Sequence, residues 1–228
     1  MTVRPAARRA PAARWVPFAL VALSIIPVVT GTMRVVEVFG GPHLMPPNPR
    51  VDASPAPMVV HILSVIPFAV LGAFQFSERL RRGRPGWHIG AGRVLVGLGL
   101  AAALSGLWMT LIYPRQEGTG WLLFAFRLAA ASGLGGCLVL GLAAIRGRHV
   151  ARHRAWMTRA YALALGAGTQ VLTGAFKSAF LGRGVLANDL SMGAAWAINL
   201  AVAEHAIRRR RLHAGRRAVA PAGAGSSS

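Results

Sequence analysis

His88 and His153 are the residues of this chain best suited to chemistry. Each stands at the entrance of a long apolar stretch, and each is followed within two helical turns by an arginine, Arg93 and Arg159 respectively. A neutral imidazole is a common axial ligand of haem iron, and a guanidinium can pair with a haem propionate or another anionic group. The two histidines enter their stretches at similar depth. The sequence therefore predicts that they ligate one b-type haem, with Arg93 and Arg159 as partners for its propionates or for an anionic headgroup. A quinone is the other cofactor expected. His61 lies near the start of its own stretch, at the opposite membrane surface, and is assigned to a second site or to a quinone oxygen. Such a module would pass electrons to or from a redox partner.

Two further cations lie inside apolar stretches, Arg127 and Lys177. Charges at that depth must snorkel, pair or face a cavity, so they mark a candidate pocket on the external side. They support a second reading, a transporter or binder of an anionic amphiphile. A third reading is a non-enzymatic scaffold whose polar residues hold helices together. Other chemistries are poorly served. There is no HExxH zinc arrangement and no nucleophile elbow for a serine hydrolase. Cys137 is the single cysteine, which excludes an internal disulfide framework and a CxxC motif. No catalytic residue and no metal ligand set is assigned.

The elements that must position these residues are six apolar stretches, about Trp15 to Val36, Met58 to Phe76, Ile89 to Tyr113, Gly120 to Ile145, Trp156 to Leu181 and Leu190 to Ile207. Each has about 18 to 26 residues, enough to cross a hydrocarbon layer of roughly 30 Å. The expected fold is an all-α polytopic membrane bundle of six transmembrane helices. It comprises a basic arm over 1–14, a membrane domain over 15–207 and a basic tail over 208–228 with a flexible end. The formal charge is +20, but its distribution points to lipid headgroups and not to nucleic acid. Most of the arginines cluster in the N-terminal arm, the second and fourth links and the tail, while the alternate links carry Arg50, Arg115 and Arg183. That alternation is the positive-inside pattern. It predicts a multi-pass protein of the inner or plasma membrane with both termini cytoplasmic.

Within this frame, Arg93 and Arg159 are expected to face the bundle interior. Gly92, Gly99 and Gly106, and the pair Ala164 and Gly168, mark expected helix contacts. Pro27 and Pro67 are expected to bend their helices. The proline-rich link from Gly40 to Pro57 is expected to lack regular structure.

The chain also resembles the bacterial and fungal membrane proteins grouped as domain of unknown function 2306. The resemblance is carried by His61, the Gly72–Phe74–Gln75 region, Arg82 through Trp87 and His88, Gly92–Arg93, and the run from His153 through Trp156, Met157 and Arg159 to Tyr161. It covers roughly residues 58 to 170, more weakly afterwards. It implies a compact helical membrane domain and supplies no reaction. The residues it singles out are His61, Gln75, His88, Arg93, His153, Trp156 and Arg159. One departure is visible: the family pattern has arginine directly after the third-stretch histidine, where this chain has Ile89.

Overall fold

The computed structural model describes residues 15–219, with side chains described through Leu212. The basic arm over 1–14 and the tail end over 220–228 lie outside the described residues. The helices are α1 (Val16–Val38), α2 (Pro49–Ala53), α3 (Pro55–Gln75), α4 (Glu78–Gly83), α5 (Pro85–Ile112), α6 (Trp121–Arg146), α7 (Val150–Ala164), α8 (Gly166–Phe180) and α9 (Val185–Val219). Among the described residues there is no strand. The chain is a polytopic all-α membrane protein whose helices gather into two compact units, dividing between Glu117 and Gly118.

In the first unit α3 packs along α5, and α1 packs against α3. The contacts use small side chains: Ala69 and Ala73 of α3, and Gly99, Ala102 and Ala103 of α5, are buried. Lipid gives apolar helices little reason to associate, so close backbone approach supplies the attraction. Gly31 of α1 serves the same end, since a Cβ there would stand 3.2 Å from Ile62 of α3. Both α1 and α3 continue through their internal prolines, Pro27 and Pro67.

The proline-rich link departs from expectation. It is folded back on the end of α1 and contains a helix. Glu37 is buried, pairs with Arg34 at 2.8 Å, and accepts the N–H groups of Leu44 and Met45, each at 2.6 Å. Arg34 also donates to the Pro46 carbonyl at 2.9 Å. Pro49 and Pro55 then occupy the first turns of α2 and α3, where a missing N–H costs nothing and a fixed φ favours the helix. At the far end of α5 the Tyr113 hydroxyl donates to the Ser54 carbonyl. Burial there holds the phenol above its ordinary pKa.

In the second unit α6 lies against α7, and α9 contacts α6, α7 and α8. Asp189 of α9, only 1% exposed, accepts the N–H groups of Gly120 and Leu123 at 3.0 and 3.1 Å. It thus satisfies donors at the start of α6, which has no side-chain cap of its own. α9 continues unbroken to Val219, so the expected basic tail begins as an extension of the last membrane helix.

Among the described residues five helices are long and apolar enough to cross a membrane: α1, α3, α5, α6 and the Val185–Leu212 part of α9. The sequence predicts six. The difference lies in the stretch from Trp156 to Leu181, which belongs to two 15-residue helices, α7 and α8, meeting at Leu165. Gly166, Gly168 and the indole of Trp196 explain the interruption. Glycine is a poor helix former, and a Cβ on Gly166 would overlap the Trp196 ring. Asn199 of α9 ties the two halves together. Its amide nitrogen donates to the Ala162 carbonyl of α7 at 3.1 Å, and its oxygen accepts the Thr169 hydroxyl of α8 at 2.8 Å.

Gly166→Ala should therefore lower the melting temperature of the protein in detergent, by the equivalent of about 1–3 kcal/mol for an overpacked contact. In the Gly166→Ala/Trp196→Ala double variant the clash has no partner. Its loss should fall short of the sum of the two single losses, and strict additivity would contradict the steric account.

Candidate functional site

α7 begins after the basic link at Arg146 and Arg148 and carries His153, Trp156 and Arg159 at spacings of three, which places them on one broad face. The His153 ring is half-buried, and its Nδ1 lies 2.8 Å from the Gly141 carbonyl on α6. A carbonyl oxygen can only accept, so Nδ1 holds the proton and Nε2 carries the lone pair. Gly141 permits this approach, since a Cβ there would stand 3.3 Å from the Trp156 Cβ and overlap the Met157 methyl.

Two turns inward, Arg159 is engaged on two sides. Its Nε and one terminal nitrogen donate to the two carboxylate oxygens of Glu204 on α9, at 2.5 and 3.0 Å. Its guanidinium carbon stands 4.7 Å from the centre of the Trp156 ring, within cation–π range. The structure thus brings His153, Trp156 and Arg159 into one seam and adds Glu204 to it.

The first unit holds His61, Gln75, His88 and Arg93. His61 repeats the pattern of His153: its Nδ1 lies 3.0 Å from the Ala102 carbonyl of α5 and 3.2 Å from the Ser105 hydroxyl oxygen. The Ser105 proton is itself directed to the Ala101 carbonyl at 2.7 Å, so the ring nitrogen is again the donor and Nε2 again holds the lone pair. His61 and Gln75 are separated along α3 by about 21 Å at 1.5 Å per residue. At the Gln75 end, His88 lies on the buried stripe of α5 with Leu95 and Gly99, and its Nδ1 is shut off from solvent. The buried Nε2 of Gln75 has no hydrogen-bond partner among the described residues, and its Oε1 lies 4.0 Å from where a Gly92 Cβ would be.

Of the two arginines expected to face inward, only Arg159 is drawn into a helix contact. Arg93 is exposed. The inward stripe of α5 is occupied by Leu95, Gly99, Ala102 and Ala103, and helical phase puts Arg93 on the other side. Of the two cations assigned to an external pocket, Arg127 is half-buried in α6, and Lys177 of α8 donates to the Asn188 side chain at 3.3 Å. His88 belongs to the first unit and His153 to the second. Among the described residues no group of three or more histidine, cysteine, aspartate or glutamate side chains is arranged to hold a metal ion.

Sequence reasoning missed the pairing of Glu204 with Arg159 and the role of Asp189. Both carried a signal: an acid within or beside an apolar stretch must find donors, and α9 offers only these two between its start and the arginine run.

Replacing Arg159 alone by methionine leaves the Glu204 carboxylate without its bidentate partner, while Arg159→Met/Glu204→Leu removes both charges. The single variant should therefore be the less stable of the two in detergent, following the usual asymmetry of half-broken ion pairs. A double variant no more stable than the single one would mean that the pair contributes nothing to holding α7 on α9.

No curated protein and no solved structure matches the chain. A family model does, over residues 58–207, which extends past the histidine–tryptophan–arginine motif to take in α8 and the apolar part of α9. With most of its length matched, the chain belongs to the family described as predicted membrane protein (DUF2306).

Proposed function

We propose that the chain is a membrane redox module that holds a b-type haem through His153, with a quinone headgroup as the alternative occupant of the same imidazole. One observation carries the reading. The Gly141 carbonyl fixes the Nδ1 proton of His153, so Nε2 presents its lone pair from a ring held in place by the neighbouring helix. Metal-bound histidines are commonly oriented in this way, by donating the second ring N–H to a carbonyl. The same lone pair would accept a hydrogen bond from a quinol hydroxyl. Haem, when bound, supplies a one-electron couple; the chain supplies the ligand, its orientation and a low-dielectric surround. Arg159 is charge-balanced by Glu204, which leaves the exposed Arg152 and Arg154, flanking His153, as the guanidinium groups open to propionates. His61, with its Nδ1 fixed by Ala102 in the same fashion, would serve a separate second site within the first unit.

The reading also requires a topology. We take α7 and α8 together as one interrupted crossing, so that six crossings place both termini on the cytoplasmic side. The arginine alternation supports an even number. Asn199 supports the interruption, since it satisfies a carbonyl that the break would otherwise leave exposed to lipid.

Cysteine accessibility tests the topology. Single cysteines at positions 48, 117 and 186 should label from the external side, and labelling of two of them only from the cytoplasmic side would reject it. The function is tested by the absorption spectrum of protein expressed with ample haem. A reducible b-type spectrum is expected, and His153→Ala should lower haem occupancy at least several-fold while the protein stays folded. Colourless, folded protein that also fails to take up haem on reconstitution would eliminate the haem reading.

A further inference from the structure

Arg93 is an exposed cation inside a helix that is otherwise apolar enough to cross a membrane. Among the described residues it has no hydrogen bond and no ion pair. Its face of α5 is unusually bare. Gly86, Gly90 and Gly97 lie on the same side, and a Cβ on any of them would meet nothing within 4 Å. Ile89 and Val94, 55% and 60% exposed, border that side. An arginine does not surrender its proton, and an unpaired guanidinium in hydrocarbon is costly. Among the described residues no acid supplies its counter-charge, which an anionic group of the bilayer can.

The geometry says at what level. α5 has 28 residues, about 42 Å of helix against a hydrocarbon layer of roughly 30 Å. With the excess shared between its ends, the boundary falls near Ile89, and the Arg93 Cα lies about one turn below it. Helical side chains lean toward the helix N-terminus, so the guanidinium rises past Gly90 toward Gly86 and the headgroup layer. Trp87, 37% exposed, is an interface anchor at that level. Arg79, Arg82 and Arg84 are exposed at the same end of the unit, and only Arg82 of these approaches an acid, Glu78 at 3.4 Å. The local field therefore favours a lipid of net negative charge over a zwitterionic one.

We propose that α5 binds the phosphate of an anionic phospholipid through Arg93, along a shallow groove floored by Gly90 and Gly86, on the leaflet where α5 begins. This site is independent of the redox reading, since it uses none of the histidines. The full-length protein, delipidated in a zwitterionic detergent, would be titrated with phosphatidylglycerol or phosphatidylcholine, with lipid retention read by native mass spectrometry and stability by thermal melting. Wild-type protein should retain phosphatidylglycerol in preference to phosphatidylcholine and melt higher with it. Arg93→Gln should cut that retention at least fivefold, Arg93→Lys should keep most of it, and Arg183→Gln, at an exposed arginine of the second unit, should change it less than twofold. Gly90→Leu fills the groove at constant charge, should also lower retention, and carries the test if Arg93→Gln does not fold. Equal retention of the two lipids, undiminished phosphatidylglycerol binding by folded Arg93→Gln or Gly90→Leu protein, or the same stabilisation by inorganic phosphate alone would overturn the proposal.

Discussion

In hydrocarbon no water satisfies a backbone amide or carbonyl left unpaired, and this constraint governs the polar residues of this protein more than any ion pair does. Several of its intramembrane polar side chains reach across to the backbone of another helix. Asp189 takes up N–H groups at the start of α6, Asn199 takes a carbonyl at the end of α7, and Gln170 donates to the Met192 carbonyl at 3.3 Å. His61 and His153 do the same to α5 and α6. These bonds set helix register, which apolar contact alone leaves loose. They also decide which atoms remain free for chemistry: a histidine that spends Nδ1 on a carbonyl has only Nε2 to offer.

The pairing of Arg159 with Glu204 changes how the motif around it reads. On the sequence, a histidine followed by tryptophan and arginine suggests a ligand beside a binder of anions. In the folded unit the arginine meets a carboxylate in bidentate fashion and lies over the tryptophan ring. That arrangement matches guanidinium geometry well, and it joins α7 to α9. Trp156 and Arg159 are thus positioned to hold the helix that carries His153.

Much of the architecture was legible because hydropathy and arginine placement report directly on the bilayer. The apolar helices α1, α3, α5, α6 and α9 each overlap a stretch readable from composition. The break at Leu165 was not, because it depends on Gly166 meeting Trp196, a contact thirty residues away that no local pattern encodes. The proline-rich link misled for a different reason: proline opposes helix interiors but suits first turns, and Pro49 and Pro55 begin helices. At the site, the histidines stood out by residue type. Their tautomers did not, since these are set by carbonyls on helices before or after them in the chain. Arg93 was misplaced because depth was judged without helical phase; counted against the buried Leu95 and Gly99, it falls on the outer side.

The position of Glu204 and Asn199 on α9 has a consequence for biosynthesis. α7 carries His153, Arg154 and Arg159 and has only 15 residues, so it is a poor candidate to enter a bilayer alone. The groups that neutralise its arginine and take up its Ala162 carbonyl are on α9, which is made after it. The polar partners of α7 and α8 are therefore complete only once α9 has emerged. Truncation within α9 would strand the two preceding helices along with it.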